Sequence, residues 1–172
     1  RVDGDMALVN NGFTVGRLGR AVEEIQAYDA VLSRFGDAPE LPLREQVAMA
    51  LSNRGESLLR TNHLADAERA FRKAAAIAPA AMAPEVWNQL GNLLLDHVGD
   101  LTGALAAYEA GLKAREGTGD QASLHVNLAF ALALFEADLT RALPHLQDAL
   151  ADDELSPGGR HLLNALTCIE IP

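Results

Sequence analysis

Apolar and small residues recur along this chain at two nested periods. Within short stretches they follow the three-and-four spacing of a helix face. Over longer stretches the whole pattern returns. Gly12, Gly55, Gly91, Ala129 and Leu166 occupy equivalent frames, separated by 43, 36, 38 and 37 residues. Four residues before each stands Leu8, Leu51, Trp87, His125 or Leu162, and three after it Val15, Leu58, Leu94, Leu132 or Ile169. These offsets lie on one helical stripe, with a small residue between the large ones in four of the five units. Internal recurrence near this length marks a stack of helical units, each unable to bury its apolar face alone.

The first four units continue into a second helical segment: 21–34, 64–77, 101–115 and 139–151. Each carries a four-residue step: Glu24 to Tyr28, Ala67 to Phe71, Ala104 to Tyr108 and Ala142 to Leu146. A small residue one turn before a bulky one suits close helix packing with a ring filling the adjacent gap. The first member lies 12, 12, 13 and 13 residues beyond the small residue of the preceding helix. Punctuation sets the boundaries. Gly36 is expected as a left-handed C-cap with Pro39 beyond it. Pro84 suits the first turn of a helix, and Asp100 and Asp120 are N-cap candidates. Pro144 falls inside its segment and predicts a late start or a kink there.

Trp87-x2-Leu90-Gly91-x2-Leu94, followed by Ala104-x3-Tyr108, resembles a tetratricopeptide repeat, as does Gly55 with Ala67-x3-Phe71 and Pro79. The first unit departs from the family pattern at Glu24. The fourth departs at His125, where an aromatic is usual, and at Leu146, where a ring is usual. The resemblance, to a bacterial-type array, implies an all-α right-handed α-solenoid of four helix–turn–helix repeats plus a terminal helix. The repeats fall near 5–36, 42–79, 84–117 and 120–152 and the terminal helix at 156–171, all in one solenoid spanning 1–172. It further implies a concave groove lined by the first helix of each pair.

One column of the first helices consists of side-chain amides only: Asn10, Asn53, Gln89, Asn127 and Asn164. Asparagine is a poor mid-helix residue, so its recurrence at one register asks for a reason. A carboxamide pairs with both the C=O and the N–H of an extended peptide. Related repeats hold peptide backbones with such a ladder. The alternative is that the amides bridge neighbouring helices. Phe13, Phe130, Glu56, Asn88 and Asn92 complete the expected groove, with the two phenylalanines as apolar platforms and Ser52 in its polar middle. Asn92 with Asn127 also resembles part of the clamp by which some family members grip a C-terminal carboxylate. Those members carry a lysine where Asn88 stands and a basic residue where Asn164 stands.

Charge and composition narrow the function. The 172 residues carry 14 basic and 24 acidic groups, a net of −10, which opposes nucleic acid as a partner. The charge is uneven: 10 basic and 12 acidic groups in residues 1–86, against 4 and 12 in residues 87–172. The second half therefore favours basic partners. No membrane span or signal segment is legible, and a cytoplasmic location is expected. Cys168 stands alone, so no disulfide framework or multi-cysteine metal site arises. His63, His97, His125, His145 and His161 have no zinc-helix spacing, and no metal or cofactor is expected. No acid, base and nucleophile assemble. The expectation is a non-enzymatic module that binds an extended peptide or partner helix. The alternative is a structural or regulatory segment of a larger protein bearing a separate effector or enzymatic domain.

Overall fold

A computed structural model describes residues 20–36, 40–114, 121–135 and 138–151. The first helix of the first pair and the terminal helix at 156–171 lie outside these residues, as do Asn10, Phe13, Asn164, Asp120 and Cys168. Among the described residues all regular structure is helical: α1 (Ala21–Phe35), α2 (Leu41–Arg60), α3 (Leu64–Ile77), α4 (Ala83–Leu93), a π-helical turn (Leu94–Val98), α5 (Leu101–Lys113), α6 (Ala122–Phe135) and α7 (Leu139–Ala151). The chain forms two compact units, residues 1–86 and 87–172, divided within α4. The architecture is of the all-α solenoid class, built from helix–turn–helix pairs.

In the first unit α1 packs on α2 and α2 on α3. The small-residue column explains how closely. Gly55 faces the Phe71 ring: a methyl group there would stand 2.8 Å from Cε1, inside contact distance. In the second unit a methyl on Gly91 would overlap the ring of Tyr108, and the conflict is more severe. Both rings are buried. The fourth pair solves the same problem differently. Ala129 stands in the glycine column, and the shorter Leu146 replaces the ring; both are fully buried. The fourth pair's departure from the family pattern is thus a compensated one, a smaller filler beside a larger backbone residue.

In the second, third and fourth pairs the turn closes on the same two columns. His63 N–H donates to the Leu58 carbonyl at 2.8 Å, Asp100 N–H to that of Leu94 at 2.9 Å, and Asp138 N–H to that of Leu132 at 3.0 Å. The first closure spans five residues and the other two span six, matching the 12- and 13-residue offsets in the sequence. In the third pair the extra residue is absorbed by the π-helical turn and by Gly99 at φ +77°. In the second pair Asn62 takes the left-handed position at φ 60°, which asparagine tolerates better than most residues.

Side-chain caps explain two of the helix starts. Asp100 accepts from Gly103 N–H at 2.9 Å and Asp138 from Arg141 N–H at 3.0 Å, satisfying donors that the first turn leaves open. Pro84 sits in the first turn of α4 as expected. Two expectations need correction. Gly36 is right-handed, with φ −55°, because its N–H continues the helical ladder to the Leu32 carbonyl at 2.9 Å. α7 does not start late: it begins at Leu139 and runs through Pro144, held by the Asp138 cap and by the buried Ala142, Leu146 and Ala149.

Candidate functional site

The first helices of the pairs carry most of the sequence-predicted residues, and the structure gives these several distinct surroundings. In the second unit Asn127 of α6 donates to Asn88 Oδ1 at 2.8 Å and Asn92 Oδ1 at 3.1 Å, both on α4. Tyr108 of α5 donates its hydroxyl to the same Asn92 oxygen at 2.8 Å. Three amides and one phenol therefore form a single network bridging three helices. Asn88 is buried, while Asn92 and Asn127 are half-buried. Burial pushes the Tyr108 hydroxyl above the ordinary phenol range, with Asp96 reinforcing it; the group stays a neutral donor. Gln89, next to Asn88, is half-buried and makes a contact of its own. Phe130 is 45% exposed on α6, although the helix around it is apolar and largely buried.

In the first unit Asn53 and Glu56 lie half-buried on α2. Glu24, the departure in the first repeat, is 3% exposed. It accepts a hydrogen bond from Tyr28 Oη at 3.4 Å and pairs with the Arg60 guanidinium, which also reaches Ser57 Oγ at 3.2 Å. A carboxylate thus stands where the family prefers a small residue because α2 supplies a cation to meet it. Burial, then the Glu24 charge, push the Tyr28 hydroxyl up, while a hydrogen bond with Asn53 opposes them. Glu56 is raised above the ordinary carboxylate value of 4.5, first by burial and then by Glu85 and Glu24, against the opposing Arg60.

One grouping was missed from the sequence. His125 of α6 and His145 of α7 face each other with their Nδ1 atoms 3.0 Å apart and ring centroids 5.2 Å apart. Asp148 Oδ2 lies 3.8 Å from His125 Nδ1. The 20-residue separation has no motif spacing; the usable signal was that both residues sit in one helix hairpin, with His125 at the register of Trp87. Away from these residues, the first unit has an open cleft of about 450 Å³ bordered by Leu32, Val47, Leu51, Lys73 and Ile77. Among the described residues no helix is long and apolar enough to cross a membrane.

Residues 48–81, from α2 through α3 and four residues beyond it, match the family model of the tetratricopeptide repeat. Those residues form a repeat of the tetratricopeptide family. Repeats of this kind stack into arrays that present extended binding surfaces. Solved structures share the fold. BtubC from P. vanneervenii matches with a TM-score of 0.70 at 20% identity, over 89% of this chain and 66% of that one. MamA 41-end from Desulfovibrio magneticus RS-1 matches at 0.61 and 21%, over 86% and 74%. A thermophilic TPR protein of Thermus thermophilus matches at 0.57 and 19%, over 94% and 80%. At these identities the likeness concerns the fold. No curated protein matches the sequence.

Proposed function

We propose that this tetratricopeptide-repeat chain binds an extended peptide or partner helix on the exposed side of its first helices, and that it does so without catalysing a reaction. The observation that supports this is the set of amides beside an exposed aromatic in the second unit: Gln89 and Asn127 of the amide column, Asn92 at a neighbouring register, and Phe130 on the same helix as Asn127. Amides offer donors and acceptors to a peptide backbone without demanding a sequence, and the aromatic offers an apolar anchor. Asn88 contributes from beneath, by holding Asn127. In the first unit Asn53 and Glu56 occupy the corresponding positions. Asn10, Phe13 and Asn164 would extend the same columns. The 12 acidic against 4 basic groups of residues 87–172 favour a basic ligand.

The test begins with a peptide library displayed against the purified chain, followed by titration of a selected peptide. The double variant Gln89→Ala, Phe130→Ala leaves the Asn127 hydrogen bonds in place. It should weaken binding by about 10- to 100-fold, on the range expected for losing one hydrogen bond and one apolar anchor. Raising the salt should weaken a basic peptide further. Unchanged affinity in the folded double variant would remove these helices as the binding face. Turnover of a substrate by the purified chain would overturn the non-enzymatic part.

A further inference from the structure

His125, His145 and Asp148 place their ligand atoms within 4.8 Å of one another. Two imidazoles and a carboxylate are a donor set for zinc and its neighbours in the first transition row. They come from two packed helices rather than from a loop. α6 packs on α7, and Asp148 follows His145 by three residues on one face of α7. We propose that these three side chains bind a divalent transition metal of the zinc class, which pins α6 to α7 and leaves a coordination position open.

The geometry is near what such an ion needs. Metal–nitrogen bonds of about 2.0–2.1 Å at a tetrahedral angle put the two nitrogens about 3.3 Å apart. The Nδ1 atoms stand at 3.0 Å, so a shift of a few tenths of an ångström suffices. The carboxylate must move further, from 3.8 Å, and its side chain is 63% exposed and able to swing in. His125 is held more firmly, with its side chain 15% exposed. The local charge is receptive. Among the described residues Arg141 is the cation acting on His145, and it is itself paired with Glu109 at 3.2 Å. The site also accounts for the departure at His125, where the family places an aromatic.

The test is calorimetric titration of the full chain with zinc sulfate in a non-chelating buffer at neutral pH. The visible spectrum with cobalt(II) gives a second readout. One zinc per chain should bind, and cobalt should give the intense bands of a tetrahedral site. His125→Gln and His145→Gln should each weaken zinc binding by at least about 100-fold and Asp148→Asn by at least about tenfold, since even outer-shell changes reach that size. His63→Gln with His97→Gln should leave it intact, as should His161→Gln with Cys168→Ser. Asp148 is exposed, so its variant stays folded and decides the matter if a histidine variant does not. Absence of saturable binding at micromolar zinc would overturn the assignment, leaving two hydrogen-bonded rings. So would binding that survives Asp148→Asn and both histidine variants unchanged.

Discussion

Tyr28 and Tyr108 stand at the same register of second helices, one in each unit, and their hydroxyls meet opposite chemistry. Tyr28 donates to the buried Glu24 carboxylate, which Arg60 neutralises. Tyr108 donates to Asn92, which also accepts from Asn127, and the hydrogen bonds of that network join neutral groups. Both satisfy a buried phenol. They differ in what threatens them. A buried ion pair depends on keeping both charges, because a carboxylate left alone away from water is expensive. An amide network depends on geometry and on having every oxygen met by a donor. The first unit should therefore respond to charge-changing substitutions and the second to shape-changing and donor-removing ones.

The sharpest way to break this contrast is Arg60→Met. It strands the Glu24 carboxylate and should lower the unfolding free energy by about 3 kcal/mol, the lower end for a broken buried pair because Arg60 itself is half exposed. Adding Glu24→Gln should recover much of the loss. A loss below about 1 kcal/mol in urea unfolding, the size of a surface pair, would mean that the pair does not hold the unit.

Gly91→Ala comes next. Its methyl group overlaps the Tyr108 ring, and the overpacking should outweigh the helix-propensity gain by about 2 kcal/mol. Tyr108→Leu in that background recreates the Ala129 and Leu146 combination and should restore part of the stability. Failure of the rescue would show that the fourth pair owes its tolerance to something other than the shorter side chain.

Asn127→Ala should lose about 1–3 kcal/mol by leaving the buried Asn88 oxygen without its donor. That loss should stay constant across the pH range where carboxylates titrate, because the groups of the network are neutral.

Glu56→Gln is the smallest and turns on sign. Glu56 holds its proton more tightly folded than unfolded. The native state therefore binds more protons, and stability falls as pH rises from 4.5 through the folded value. Removing the charge should stabilise the protein at neutral pH by a few tenths of a kcal/mol, since solvent screens a half-exposed group. The gain should vanish below pH 4.5. A loss of stability at neutral pH would mean that its attraction to Arg60 outweighs its burial.

The sequence made some of this legible and hid the rest for identifiable reasons. Columns of large and small residues run along single helices, so Gly55, Gly91, Phe71 and Tyr108 announced both the helices and their close approach. The Asp100 cap was legible because capping is local. Gly36 was misjudged because a glycine at a helix end permits the left-handed state without requiring it. Glu24 with Arg60, and His125 with His145, were not legible as pairs. Each depends on which faces of two helices meet, and that is set by packing angle rather than by spacing. The amide column was visible, and helix bridging was one of its two readings; that Asn127 would donate to Asn88 and Asn92, which stand in neighbouring columns, was not, because it depends on which faces of α4 and α6 meet.

The π-helical turn at Leu94–Val98 bears on how such a chain tolerates change in length. The second pair closes its turn without the additional residue that the third pair carries, yet the hydrogen bond from cap to leucine column is the same in both. An inserted residue at this point is swallowed within one turn of helix, and every packing position downstream keeps its phase. Insertions of one residue between the helices of a pair should thus be nearly silent, whereas the same insertion a turn earlier would rotate the rest of the helix by about 100° and expose its core face. Such a turn acts as an expansion joint, a place where a gene can gain or lose a codon while the array on either side is read in frame.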